Sequence, residues 1–212
     1  MRERAAQPRT QRMARISRAI LESMSVRPIV LLGDPRLRLR GEPVTTFNKF
    51  LHGLLDDLTH TMRDAPGVGL AAPQIGEGLA ACVVEVDDRL HELVNPKIVR
   101  AEGDDRDLEG CLSIPGYAAY VTRREKVWVV AQDRRGRKIK IAGSGLLGRA
   151  FQHELDHLDG KLYIDYLDSM DELIPVGRGD DEEGVAADDG SEDEGAPKSR
   201  SRKPRVKTPA LA

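Results

Sequence analysis

The segment His153-Glu154-Leu155-Asp156-His157 sets two imidazoles four residues apart with a carboxylate beside the first. On a helix, residues i and i+4 lie one above the other on one face. Both rings can then reach one metal ion, and Glu154 sits close enough to handle a proton of water at that ion. Either histidine alone would read as an ordinary helix residue, but the complete H-E-x-x-H pattern inside an apolar helical run favours a metal centre. Two imidazoles are one ligand short, because catalytic sites of this kind usually have three protein ligands and one open position. Gly160 falls on the glycine of the longer H-E-x-x-H-x-x-G-x-x-H motif, whereas the last position is Tyr163. His52, His60 and His91 have no paired spacing and read as surface residues. Cys111 is the best candidate for the third ligand. It lies in Glu109-Gly110-Cys111-Leu112-Ser113-Ile114-Pro115-Gly116, whose composition suggests a tightly turned segment and not a packed strand. Cys82, inside Ala81-Cys82-Val83-Val84, reads as a small buried apolar residue.

The elements that must hold these residues are partly visible. Phe47, Leu51, Leu54, Leu58 and Met62 recur at helical spacing, with Thr45 or Thr46 available as the N-cap. That helix should stop at Asp64-Ala65-Pro66-Gly67. Before it, Ile29-Val30-Leu31-Leu32 is a short apolar run halted by Gly33-Asp34-Pro35. Ala80 to Val86, Val127 to Val130, and Ile139 with Ile141 read as strands, the last two joined as a hairpin by Asp133-Arg134-Arg135-Gly136. Leu146 to Leu158 fits a largely buried second helix ended by Gly160. A short helical stretch near Met170 to Ile174 follows, and the chain is of low complexity from Gly177 onward.

The formal net charge of -2 over 212 residues conceals segregation. Residues 1–27 carry seven Arg and two Glu, residues 28–177 carry 19 basic and 24 acidic residues, residues 180–194 carry nine acids and no base, and residues 198–207 carry six bases and no acid. The central stretch therefore reads as one domain, over 27–176, between a basic N-terminal extension (1–26) and a disordered, acidic-then-basic tail (177–212). Met13, Ile16, Ile20 and Met24 are at helical spacing among arginines. This fits a plain bacterial extension better than an organellar transit peptide, and Met24 is an alternative start. No apolar run is long enough for a membrane span. Two cysteines fit a reducing, cytoplasmic setting. Eight aromatic residues are too few for a base-stacking nucleic-acid surface, which argues against DNA as a partner.

Three segments in order, Gly67-Val68-Gly69-Leu70-Ala71-Ala72-Pro73-Gln74, Glu109-Gly110-Cys111-Leu112-Ser113 and His153-Glu154-Leu155-Asp156-His157, resemble the three signature motifs of the peptide deformylase family. The flanking Arg27-Pro28-Ile29-Val30 and Gly33-Asp34-Pro35 are similar to the same enzymes, and the likeness covers residues 27 to 172. The resemblance implies an α+β fold with antiparallel β-sheets around a central metal-binding helix. It also implies hydrolysis of the N-terminal formyl group from nascent chains that begin with formyl-methionine, releasing formate. Cys111, His153 and His157 would bind one divalent ion, and Glu154 would be general base and then general acid. The Gln74 amide and the Leu112 N–H would donate to the developing oxyanion, Gly69 would shape that pocket, and Gly67 and Gly110 would line the substrate site. The family is associated with iron(II); zinc, nickel and cobalt suit the same donors. A metalloprotease of internal peptide bonds and a non-catalytic metal-stabilised binding factor are the alternatives. The basic run Lys198 to Lys207 could contact ribosomal RNA, against the simpler reading of a solvated tail.

Overall fold

Asn48 opens the first helix, where its Oδ1 accepts from the N–H groups of Phe50 (3.0 Å) and Leu51 (3.2 Å). Helix α1 then runs over Lys49–Asp64. The cap is thus Asn48 and not Thr45 or Thr46, and Phe47 lies just outside the helix while still packing on its apolar stripe. The short asparagine amide reaches two of the otherwise unpaired donors of the first turn, which moves the start by a few residues. The end falls at Asp64 as expected, with Pro66 and Gly67 following. The computed structural model describes residues 25–177. The basic segment with Met13, Ile16, Ile20 and Met24, and the tail carrying Lys198 to Lys207, lie outside the described residues.

Eight strands follow: β1 (Gly69–Ala71), β2 (Ala81–Val86), β3 (Arg89–Glu102), β4 (Asp105–Cys111), β5 (Ile114–Arg123), β6 (Lys126–Gln132), β7 (Lys138–Ser144) and β8 (Ile174–Pro175). They form a five-stranded sheet in the order β1-β2-β3-β6-β7 and a three-stranded sheet in the order β4-β5-β8, antiparallel at every pairing. Helix α2 (Gly145–Leu158) packs across β1, β2, β6 and β7. The architecture is therefore α+β, with antiparallel sheets about a central helix.

Alternation along the strands divides the large sheet between two cores. Ala81, Val83 and Val94 turn toward Leu51, Leu54, Leu55, Leu58 and Met62 of α1. Cys82, Val84, Leu93, Val127 and Val129 turn toward Ala150 and Phe151 of α2. The long strand β3 left little trace in the sequence because its outer half is exposed and two register shifts interrupt it near Lys97 and Arg100. Each shift breaks the polar–apolar alternation that would announce a strand.

Residues 30–41 join no sheet but strap the motif segments together. Val30 N–H donates to Gln74 O (2.7 Å), Leu32 N–H to Ser113 O (2.8 Å) and Gly41 N–H to Leu158 O (2.9 Å). Beyond α2 the chain reverses at Gly160, whose φ is +74° and whose hypothetical Cβ would stand 2.5 Å from Arg38 O. Only glycine meets both conditions.

Candidate metal centre

Cys111 ends β4, where the register slips between Gly110 and Cys111 before the turn Leu112-Ser113 leads into β5. The cysteine is therefore the last residue of a strand and not part of an irregular turn. The slip re-aims its side chain toward α2, a common use of such irregularities beside functional sites. Helix α2 supplies the two imidazoles. Cys111 Sγ stands 3.3 Å from His157 Nε2, which stands 3.2 Å from His153 Nε2, and the three donor atoms lie within 4.8 Å of one another. All three residues are buried.

Two features of the trio show that its residues fit a divalent ion. The donors, one sulfur and two imidazole nitrogens, are those of a three-ligand catalytic centre. In addition, both carboxylate oxygens of Glu154 and Nδ1 of His157 are buried with no hydrogen-bond partner among the described residues. Buried polar atoms are rarely left so, and the Glu154 carboxylate lies on the same turns of α2 as the two imidazoles. Burial, reinforced by neighbouring His153, pushes the His157 imidazole well below its usual value, so it is neutral as a ligand must be. Burial also pushes the Glu154 carboxyl well up, with Glu109 adding to the effect.

Behind the trio lies a buried ionic layer. His153 Nδ1–H donates to Glu109 Oε1 (2.6 Å), which fixes the tautomer that leaves Nε2 facing His157. Glu109, fully buried, also accepts from Arg123 Nε (3.0 Å) and Arg149 Nη1 (3.1 Å). Arg149 Nη2 reaches Asp105 Oδ2 (2.9 Å), and Arg123 also contacts Asp156, which accepts from Tyr166 Oη (2.9 Å). Burial alone would raise the Glu109 carboxyl, but His153 and Arg123 outweigh it and hold it well below its usual range. Sequence reasoning assigned Glu109, Arg123, Arg149 and Asp156 no part in this. A signal existed for two of them. Arg149 lies one helical turn before His153, and Glu109 lies two residues before Cys111 in the same motif, so charges at both positions needed buried partners.

The first motif packs against Glu154. A Cβ at Gly69 would stand 2.1 Å from Glu154 Oε1, so the strand can pass this close to the carboxylate only as glycine. Gln74 sits in the 3-10 turn Ala72–Ile75 after β1. Its Oε1 accepts from Ala71 N–H (2.9 Å), which turns the amide NH2 toward Ser113 Oγ (3.1 Å) and Cys111 Sγ (3.7 Å). Leu112 opens the turn after Cys111, and its N–H has no acceptor among the described residues. Gly67 N–H is tied to Met62 O (2.9 Å), with the Leu112 side chain beside it. Gly110 pairs with Ala118, and a Cβ there would make only ordinary contacts.

The remaining candidates stand apart from the centre. Cys82 is fully buried in the apolar cluster under α2. His52, His60 and His91 are half-buried and not surface residues: His52 Nε2 lies 2.8 Å from Arg134 O, and His91 meets Phe151 edge-on at 5.7 Å. Tyr163 stacks its ring on His153 with centroids 6.4 Å apart and turns its hydroxyl to Tyr117 O (3.3 Å). It packs against a ligand at the position where the longer H-E-x-x-H-x-x-G-x-x-H motif would supply one.

Comparison with known proteins is consistent across three lines. The family model described as polypeptide deformylase matches residues 26–172. A peptide deformylase of Heliobacterium modesticaldum is 54% identical over 146 residues, covering 69% of this chain and 97% of the relative. One from Acidothermus cellulolyticus is 50% identical over 145 residues, covering 68% and 81%. Among solved structures, a peptide deformylase from Legionella pneumophila has a TM-score of 0.68 at 45% identity, covering 70% of this chain and 89% of that one. The Met-Ala-Ser-bound class I type b enzyme of Acinetobacter baumannii has a TM-score of 0.66 at 29% identity, covering 68% and 99%.

Proposed function

The chain belongs to the polypeptide deformylase family and is a metal-dependent hydrolase that removes N-terminal formyl groups; from that premise we propose how its residues divide the work. Cys111, His153 and His157 hold the ion. Once bound, a divalent ion supplies Lewis acidity, lowering the pKa of water toward 7 and polarising the formyl oxygen. Glu154 takes the proton of the water that adds to the formyl carbon and returns it to the departing α-amine as the C–N bond breaks, leaving formate and a free N-terminus. The Gln74 NH2, which faces Ser113 Oγ and Cys111 Sγ, and the Leu112 N–H next to Cys111 donate to the oxygen on which charge builds, and the loss of one such donor costs on the order of 100-fold or more in rate. Gly69 leaves room for the carboxylate, and Gly67 and Gly110 shape the adjoining backbone.

One observation carries this assignment: a fully buried, unpartnered carboxylate beside three converging metal donors. The tripeptide held by the Acinetobacter relative begins with methionine, which supports formyl-methionyl peptides as substrates. Iron(II) is proposed as the native metal, the bacterial cytoplasm as the location, and the basic run 198–207 as a contact with ribosomal RNA. The decisive experiment is formate release from formyl-Met-Ala-Ser by protein purified anaerobically with iron(II). Activity no greater than that of a Glu154→Ala control overturns the assignment. Loss of that activity in air without loss of zinc-supported activity is the expected mark of iron.

A further inference from the structure

Val127, Val129 and Ala131 of β6 are buried against α2, so their alternates face away from it. Helix α1 packs against β1 and β2, and the opposite side of β6 and β7 lies beyond it. Register places Arg100 of β3 opposite Trp128, Val130 opposite Lys140, and Gln132 opposite Lys138. Directly paired residues project from the same face. The exposed cations Arg100, Lys126, Lys138 and Lys140 therefore share one face with Trp128, together with two carboxylates that are already paired, Glu102 with Arg100 and Glu92 with Arg134. The Arg100 guanidinium lies 4.6 Å and the Lys126 ammonium 5.0 Å from the indole centroid, so the ring orders both heads.

We infer that this outer face of the five-stranded sheet docks the phosphate backbone of RNA. Lysines commonly guard an edge strand against pairing with another chain. That accounts for Lys138 and Lys140 on β7, and the ion pair with Glu102 engages Arg100, but neither accounts for Lys126, which lies on a strand paired on both sides. The domain's overall charge does not account for the face either, since residues 28–177 carry five more acids than bases. Bases concentrated on one flat face of an acidic domain are an electrostatic footprint for a polyanion. RNA is the polyanion that fits, given the deformylase activity above, because substrates of that activity are newly made on RNA-rich machinery. The indole faces are engaged by cations, so the contact reads phosphates and stacks no bases, in keeping with the scarcity of aromatic residues.

Trp128 is the only tryptophan in the chain, so its fluorescence reports this face and no other. Titrating the full-length protein with single-stranded oligouridylate at 50 mM salt is expected to shift or quench that emission. Four phosphate contacts predict an affinity about 50-fold weaker at 200 mM salt. The Lys138→Glu, Lys140→Glu double variant should bind at least about tenfold more weakly, while releasing formate from formyl-Met-Ala-Ser at the parent rate, which also shows that it is folded. The inference is overturned by an unchanged emission, by equal affinity in the double variant, or by equally tight binding of polyglutamate, which would make the face a site for acidic proteins. If RNA binds here but no formate is released by the parent protein, the docking face stands and the deformylase reading fails.

Discussion

The two helices of this protein lie on opposite faces of one sheet and bury opposite kinds of residue. α1 buries an aliphatic stripe and two threonines. Thr59 Oγ1 returns its hydrogen bond to Leu55 O (2.8 Å), and Thr61 Oγ1 accepts from Arg27 N–H (2.9 Å). α2 buries Arg149, Gln152, His153, Glu154 and His157, more than half of its buried residues. Gln152 bonds the backbone of Arg124, while Arg149 and His153 converge on Glu109. Glu154 is left with nothing. The helix that serves as scaffold buries mainly aliphatic side chains. The helix that carries chemistry draws partners for buried charges from distant strands and leaves the Glu154 carboxylate unpaired beside the two imidazoles.

Substitutions can break this contrast at graded strength. Cys111→Ala should abolish both metal retention and formate release, whereas Cys82→Ala, equally buried but among aliphatic neighbours, should keep its metal; elemental analysis of the two purified variants decides it. Equal retention would remove Cys111 from the ligand set. Next, Glu154→Ala should keep its metal and lower kcat by about 100- to 10,000-fold, the usual worth of a general acid–base group. Glu109→Gln should lower metal affinity by about 10- to 100-fold, as loss of a carboxylate behind a ligating histidine does, read by competition with a chelator.

The same substitution tests a pH dependence. The Glu109 carboxyl is depressed in the folded protein, so its contribution to stability is present above the ordinary glutamate value of about 4.3 and is lost as pH falls toward the depressed one. In metal-free protein, Tm should therefore fall less steeply between pH 5 and pH 3 in Glu109→Gln than in the parent; parallel curves would deny Glu109 that role. Least visible in turnover should be Leu58→Ala on α1. It should cost about 2 to 5 kcal/mol of stability by denaturant titration and leave kcat unchanged where the protein remains folded.

The same contrast sets what could be read from the chain. α1 announced itself because an apolar period of 3.6 is a local signal, and its end at Pro66-Gly67 is local too; only the cap shifted, because Asn48 offers a better-placed acceptor than Thr45 or Thr46. On α2 the spacing of His153, Glu154 and His157 was equally local. What could not be read was everything arriving from elsewhere. The pairing of Glu109 with Arg123 and Arg149 depends on β4, β5 and α2 meeting, and the turning of Cys111 depends on a register slip that leaves no compositional mark. The strands β3 to β5 were obscured because Pro96, Gly110 and exposed charges interrupt their alternation.

The strap formed by residues 30–41 has a consequence for the order in which the molecule is made. Its three hydrogen bonds end on Gln74, Ser113 and Leu158, so among the first described residues to leave the ribosome are ones that wait for nearly the last to find their partners. Loop closure over such separations slows folding relative to helical proteins of similar size. The metal donors at 111, 153 and 157 are likewise synthesised far apart, and no complete ligand set exists until α2 has emerged. A half-made chain thus has neither a closed fold nor a complete set of metal donors, and both await the emergence of α2.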